Sequence, residues 1–299
     1  MAYLLKSYRL PLYAAALLAC LSFQASAGVQ EDFIWAVEKG NLSDVSRLLE
    51  KGANPDTSNR EGYTPLMIAA KEKNLKLVVD NTFSPLIVSP IRLGADIVIH
   101  SMTKFINGTS DCVAGAVCAS DEFIHKLTDI NSGAAMLLGP VLDSARAASI
   151  LKNLHSLHLR MRQHSANAQF LAEKFKELGL KVFYPGLPEH PQFELLNSMM
   201  NKSYGYGGML ALDVGTLELA NKLMALMQKK KVGYLAVSLG YFKTLFSPPG
   251  HSTSSEIPKE ERDEIGLSEG LIRFSIGLDN DIHHTFERIK KCLQELKII

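Results

Sequence analysis

Three short runs of apolar residues constrain the fold of this chain more than any other feature of its sequence. They are Leu77–Val79, Asp96–His100 with Ile97–Ile99 at its centre, and Ala114–Cys118. Continuous apolar runs of this length, without a polar residue at every second position, are typical of strands buried on both faces of a sheet. The runs therefore predict an α/β fold in which both faces of the sheet are covered.

Polar residues follow the first two runs directly. Asp80 ends the first run, and Ser101-Met102-Thr103-Lys104 follows the second. In open α/β sheets, ligands bind beyond the carboxyl ends of the strands, so we expect these residues to share one site. A lysine amine forms a Schiff base with an aldehyde, and pyridoxal phosphate needs such a lysine together with an acid near its ring nitrogen. Taken without context, a lysine in this setting is more often a surface residue, and the aspartate a strand cap.

The same residues lie within longer stretches that resemble a known family. Val79–Phe83 and Leu93–Phe105 look like the lysine signature of the Cys/Met-metabolism (trans-sulfuration) family of pyridoxal-phosphate enzymes. The similarity extends from about residue 75 to residue 299. Further motifs occur in the family's order, namely Arg160–His164, Tyr184–Pro191, Gly205–Met209, Ala236–Gly240 and Leu271–Gly277. Within the family, Tyr204–Gly208 and Ser252–Glu256 resemble the plant-type methionine γ-lyase branch.

The resemblance implies roles for the residues at the cofactor. Lys104 would carry pyridoxal phosphate through the Schiff base and then transfer protons. Asp80 would pair with the protonated ring nitrogen, which lets the ring accept electrons. Ser101 and Thr103 would hold the phosphate.

The resemblance also implies a substrate and its contacts. Arg273 would clamp the carboxylate of the substrate with its planar, bidentate guanidinium. Ser238 and Thr253 would line the substrate and help to place the lysine. The implied activity is that of a carbon–sulfur lyase, which eliminates a thiol from methionine or a related sulfur-containing amino acid.

Only part of the family's fold is implied, namely a partial type I fold of pyridoxal-phosphate-dependent transferases. Motifs that precede Asp80 in the family, including a glycine-bearing helix start for the phosphate and the aromatic residue on the ring, have no counterpart here. We expect residues 77–145 to form a partial cofactor-binding large domain, and residues 146–299 a small α+β domain. The family suggests a homo-oligomer, but the absent motifs include the tyrosine and arginine that reach the neighbouring subunit.

Hydrophobic periodicity predicts the elements of the small domain. Strands are predicted at Lys181–Tyr184, Met209–Val214 and Leu271–Ile276. Helices are predicted over Gly139–Leu178, Leu217–Gln228 and Ile282–Leu296.

The first 27 residues have the layout of a secretory signal peptide. Lys6 and Arg9 give a positive start, Leu10–Leu21 is an apolar run, and Ala25–Ala27 offers small residues for cleavage. The run is shorter than the roughly 20 apolar residues of a membrane-spanning helix. Leu17–Cys20 also resembles a lipoprotein acceptor box, which is a weaker alternative. The leader predicts export, whereas the family resemblance suggests the cytoplasm.

Residues 28–76 resemble ankyrin repeats. Ala36 matches Ala69 and Asn41 matches Asn74, a spacing of 33 residues. Gly62–Ala70 resembles the opening of a repeat, and Asn41–Asp56 its second helix and exit loop. Such repeats bury a core by stacking, and at least about three are usually needed. This segment holds only about one and a half repeats, and a protein partner is one expectation for it.

Composition excludes several function classes. The 32 basic and 31 acidic residues nearly cancel, which leaves no electrostatic footprint for nucleic acid. The cysteines and histidines lack metal-ligand spacing, so no metal is predicted. Two hypotheses follow: a methionine γ-lyase-like enzyme, or a catalytically inactive truncated fusion that acts as an exported, ankyrin-type protein-binding module.

Overall fold

The computed structural model describes residues 28–54, 57, 59, 64, 65, 67, 68, 75–249 and 268–299. The predicted leader and Ser252–Glu256 lie outside the described residues, as does most of the ankyrin-like opening Gly62–Ala70. The chain divides into two compact units between Leu77 and Val78. In the part of the chain that is described, none of the helices has the length and apolar character needed to cross a membrane.

In the first unit the described residues include the helices α1, over residues 28–38, and α2 at Leu42–Glu50. Asn41 caps α2, because its side-chain oxygen accepts a hydrogen bond from the Asp44 N–H at 3.3 Å. Gly40 and Gly52, which follow the two helices, have φ angles of +64° and +84°. Glycine is the residue that enters this left-handed region without a steric penalty, so each helix ends where the sequence provides one. The helices pack through a small apolar cluster of Phe33, Ala36, Leu48 and Ala53.

The second unit begins with a three-stranded sheet that confirms the three predicted strands. They are β1 at Val78–Asp80, β2 at Ile97–Ser101 and β3 at Gly115–Cys118. β1 pairs parallel with β2, and β3 pairs antiparallel with β2. Both predicted site segments follow the carboxyl ends of β1 and β2, which therefore lie at the same end of the sheet.

The prediction that both faces of this sheet are covered is wrong. Val78, Ile99 and Val117 are 49%, 38% and 43% exposed. Two of the three strands are edge strands, and only the central strand β2 contributes buried residues, Ile97 and Val98. An apolar run reports how well a segment suits a strand, whereas coverage depends on which other elements pack on it.

A π-helical turn at Met102–Ile106 follows β2, and four helices follow β3. The helices are α3 at Asp121–Thr128, α4 at Ala134–Leu138, α5 at Ser144–Leu154 and α6 at Leu157–Glu177. On α6 the buried residues recur every three or four positions, at Met161, His164, Ala168, Leu171 and Phe175. This spacing places them on one face of the helix, which faces the core of the second unit.

A second sheet of five strands forms the rest of the second unit. Its strands are β4 at Lys181–Phe183, β5 at Met209–Asp213, β6 at Tyr234–Leu235, β7 at Leu245–Ser247 and β8 at Leu271–Ser275. The order is β4-β5-β8-β7-β6, and all neighbours are antiparallel except β6 and β7, which are parallel. The three predicted strands of this domain are confirmed to within a residue of their ends. β6 and β7 were not predicted, because two or three residues carry too little pattern.

Within its described residues, which exclude 250–267, this unit has three further α-helices, namely α7 at Phe193–Met199, α8 at Leu217–Lys229 and α9 at Ile282–Glu295. The predicted helices in the positions of α8 and α9 are confirmed. The predicted helical stretch Gly139–Leu178 is divided into α5 and α6 by a break at His155 and Ser156. Residues of α6, α8, α9 and the second sheet share one apolar core, which includes Phe175, Leu223, Phe274 and Ile289.

Candidate active site

The predicted cofactor lysine lies in an irregular turn that we call the lysine turn, Met102–Gly108. Lys104 has φ −88° and ψ −130°, which are not helical values, inside the π-helical segment. The turn closes through two main-chain hydrogen bonds: Asn107 N–H donates to Met102 O at 2.9 Å, and Gly108 N–H donates to Lys104 O at 2.7 Å. The main chain on both sides of the lysine is therefore fixed directly at the end of β2.

The structure brings three of the predicted residues together at Ser238. The Lys104 amine donates to the Ser238 hydroxyl at 2.9 Å. The Arg273 guanidinium donates to the main-chain oxygen of Ser238 at 3.2 Å. Burial lowers the pKa of Arg273 from its high ordinary value. Among the described residues no carboxylate forms an ion pair with Lys104 or Arg273.

Gly240 holds the loop of Ser238 against the lysine turn. Its N–H donates to the Ser275 hydroxyl at 2.9 Å, at the end of β8. Its φ is +73°, and a Cβ atom added there would lie 2.3 Å from Phe105 N and 2.8 Å from the carbonyl carbon of Lys104. A residue with a side chain would have to displace main chain on the other side. Glycine therefore allows the loop to pack directly on the Lys104–Phe105 peptide.

Asp80 and Ser101 are linked through Thr82, a residue for which the motifs predict no role. The Asp80 carboxylate accepts from Thr82 N–H at 2.9 Å, and the Thr82 hydroxyl accepts from Ser101 N–H at 2.8 Å. Hydrogen bonds from the hydroxyl and the N–H of Thr82, followed by the charge of His100, hold the pKa of Asp80 below its ordinary value. Asp80 is exposed and ionised at neutral pH. A signal for Thr82 exists in the sequence, since the N–H two residues after an aspartate often binds its carboxylate.

The other predicted site residues are placed less directly. The Thr103 hydroxyl accepts from Ala114 N–H at 3.0 Å and donates to Ala114 O at 3.4 Å, so it connects the lysine turn to the residue before β3. Its role at a phosphate stays a prediction, as does that of the half-buried Ser101. Thr253 lies outside the described residues. No group of three or more His, Cys, Asp or Glu side chains in the described part of the chain is arranged to hold a metal ion.

The chemistry of these side chains fits pyridoxal phosphate. The cofactor has an aldehyde, a basic ring nitrogen and a phosphate, and the residues at the end of β1 and β2 offer an amine, a carboxylate and a hydroxyl. In the described part of the chain the partner of the Lys104 amine is the Ser238 hydroxyl, which binds an amine more weakly than a carboxylate does. The lowered pKa of Asp80 keeps the negative charge that a protonated ring nitrogen requires.

Comparison with known proteins identifies the family. A family model described as "Cys/Met metabolism PLP-dependent enzyme" matches residues 48–293. The match begins inside the segment predicted to be ankyrin-like, ahead of the resemblance that started at about residue 75. Methionine gamma-lyase of Arabidopsis thaliana is 45% identical over 243 residues, which cover 81% of this chain and 55% of that protein. Cystathionine gamma-lyase of Dictyostelium discoideum is 40% identical over 225 residues, which cover 73% and 55%.

The fold is similar to that of a solved structure of the same kind. The crystal structure of cystathione gamma lyase from Micromonospora echinospora superposes with a TM-score of 0.69 at 30% identity, covering 81% of this chain and 62% of the other. The chain spans little more than half the length of the curated relatives that it matches. The predicted family, its mixed α/β fold and its pyridoxal-phosphate cofactor are confirmed, while the leader and the ankyrin-like segment stay predictions. By a match over most of its length, this chain belongs to the Cys/Met-metabolism family of pyridoxal-phosphate-dependent enzymes.

Proposed function

We propose that this chain is a carbon–sulfur lyase that uses pyridoxal phosphate to release a thiol from methionine or a closely related sulfur amino acid. The observation that carries the proposal is the convergence of the Lys104 amine and the Arg273 guanidinium on Ser238. An amino acid whose carboxylate is bound by Arg273 would have its α-carbon beside the lysine. The 45% identity to a protein named methionine gamma-lyase supports the choice of methionine.

Four residues of the chain have a defined task in this proposal. When bound, pyridoxal phosphate supplies an aldehyde that an amine captures and a ring that accepts electrons from the substrate. Lys104 Nζ is the amine that would hold the cofactor, and it would then hold or transfer the proton at the substrate's carbon. Ser238 Oγ orients that amine. Arg273 donates two parallel hydrogen bonds to the substrate carboxylate, and Asp80 keeps a negative charge at the ring.

Absorbance of the lysine-bound cofactor tests the proposal. Mixed with pyridoxal phosphate, the purified protein should acquire the absorption band of a lysine-bound cofactor and release thiol from methionine. Lys104→Ala should abolish both. Lys126→Ala is the matched control, because Lys126 is an exposed lysine paired with Glu122 and should leave both readouts unchanged. A protein without the band at saturating cofactor is not a pyridoxal-phosphate enzyme.

The second candidate is the inactive, exported, ankyrin-type binding module. One observation favours it: Asp80 is exposed at the end of an edge strand, whereas an acid that serves a cofactor ring is expected to be shielded from water. The apolar cluster that α1 and α2 share also supports this candidate. An absorption band without thiol release from methionine, combined with capture of a protein through residues 28–76, would favour this candidate.

A further inference from the structure

We propose that Arg160 is a positioning residue for Lys104, which it fixes through the main chain of the lysine turn. Arg160 donates from Nη1 to the carbonyl of Phe105 and from Nη2 to the carbonyl of Ile106 at 2.6 Å. These are the two residues that follow the lysine. The inference rests on the proposed function, in which Lys104 carries the cofactor, and it concerns how the chain aims that lysine.

The guanidinium of Arg160 donates hydrogen bonds to uncharged groups. Besides the lysine turn, it donates to Asn153 O at 2.9 Å and to the Ser156 hydroxyl at 3.2 Å. Among the described residues no carboxylate forms an ion pair with it, and burial lowers its pKa. Withdrawing a cation from water without a counter-ion is costly. The lysine turn receives two charge-assisted hydrogen bonds from the planar guanidinium, and these bonds offset part of that cost.

The surrounding residues keep the guanidinium in this position. Gly108 ends the lysine turn, and a Cβ atom there would lie 2.5 Å from Nη1 of Arg160. Glycine therefore leaves room for the guanidinium. One helical turn after Arg160, the ring of His164 packs edge-on against Phe105 at 5.1 Å between centroids. Its Nδ1–H donates to Ile276 O at 2.6 Å, directly after β8. α6 thus connects the lysine turn to the strand that carries Arg273.

This arrangement determines where the amine of Lys104 lies. Lys104 directly precedes the two residues whose carbonyls Arg160 binds. Motion of the peptides at those residues would therefore move the Lys104 side chain and its Nζ. Without Arg160, the carbonyls of Phe105 and Ile106 lose their side-chain donor. The turn then keeps the hydrogen bonds at its ends, such as Thr103 with Ala114 and Phe242 N–H with Gly108 O, which leave the two peptides after the lysine less fixed. We therefore expect the amine to spend less time at Ser238 and to capture the cofactor more slowly.

Arg160→Lys is the decisive variant, and Arg162→Lys its matched control. Lysine keeps the charge and the apolar stem but cannot bind two neighbouring carbonyls with a planar fork. Arg162 lies two residues further on the same helix, is exposed, donates to Ser203 O at 3.2 Å and lies over the ring of Tyr204, away from the lysine turn. If Arg160→Lys does not fold, Arg160→Gln, which keeps a single donor group, takes its place.

Three readouts separate positioning from a general loss of stability. The first is hydrogen exchange of the Asn107 and Gly108 amides in cofactor-free protein. The second is the rate of cofactor capture per folded molecule. We expect Arg160→Lys to raise the exchange selectively and to slow capture at least about tenfold, the factor for one lost charge-assisted hydrogen bond. The third is rescue of Arg160→Ala by millimolar guanidinium chloride, which should restore capture although this salt does not stabilise folded proteins.

Several results would overturn the inference. These are a wild-type capture rate in folded Arg160→Lys, equal effects of Arg160→Lys and Arg162→Lys, or failure of guanidinium to restore capture. If the unaltered protein captures no cofactor, the proposed function fails, and the exchange measurement still decides the role of Arg160. Unchanged exchange at Asn107 and Gly108 would then refute it, and a selective rise would support it.

Discussion

Replacing Gly240 with alanine should damage both the stability of the protein and its lysine site. The added Cβ atom would lie 2.3 Å from Phe105 N, and ordinary contact begins at 3.4 Å, so the loop must move by about 1 Å. Main chain lies on both sides of the contact, and no side-chain rotation can relieve it. Overpacking of this kind costs about 1–3 kcal/mol, and a left-handed φ costs a residue with a side chain about 1–2 kcal/mol more. The free energy of unfolding should therefore fall by roughly 2–5 kcal/mol.

The same displacement acts on the site. Ser238 lies two residues before Gly240 and holds the Lys104 amine at 2.9 Å, so a shift of about 1 Å exceeds the range of a hydrogen bond. A misplacement of this size can cost an enzyme about 100-fold in rate. Thermal and denaturant unfolding measure the first effect, and thiol release from methionine measures the second.

Gly179→Ala is the control for this experiment. Gly179 has a φ of +74°, almost the same as the +73° of Gly240, but nothing lies within 4 Å of its added Cβ atom. The free energy of unfolding of Gly179→Ala should therefore fall only by the cost of the left-handed φ, about 1–2 kcal/mol, and the variant should keep its activity. Equal losses of stability in the two variants would refute the argument, because the contact with the lysine turn would then contribute nothing.

Two further predictions concern His164 and Arg273. Burial lowers the pKa of His164 to about 4 from an ordinary value near 6.5, so the unfolded chain binds more protons between these values. The stabilising contribution of the neutral ring is complete above about pH 6.5 and is lost as the pH falls toward 4, by up to about 3 kcal/mol. Urea unfolding across this range should show the loss, and His164→Gln should lack it. Arg273→Ala should raise KM for methionine at least about tenfold without changing cofactor absorbance, since it removes a charge-assisted hydrogen bond to the substrate; an unchanged KM would exclude Arg273 as the carboxylate clamp.

Much of the fold could be predicted from local pattern. Leu271–Ile276 and Met209–Val214 were predicted to be strands, and both form strands that end within a residue of the prediction. Patterns of this kind succeed because each residue's preference for a strand or helix acts over a few neighbours. The direction of β3 and the exposure of Val117 could not be obtained in this way, since they depend on pairing and packing with segments far along the chain.

The sequence by itself determined the family, the cofactor chemistry and the residues that could perform it, because Lys104, Asp80 and Arg273 are recognisable as side chains in motifs. The resemblance also implied that Ser238, 134 residues further along the chain, helps to place the lysine, and the tertiary structure gave the contact itself. Only the tertiary structure decided that Arg160 binds the turn that carries the lysine. The physical reason lies in the partners. Arg160 binds main-chain carbonyls, and Gly240 contacts a peptide, and every residue in the chain has a carbonyl and a peptide. Such contacts have no signature in the letters of a sequence and arise when the chain is packed.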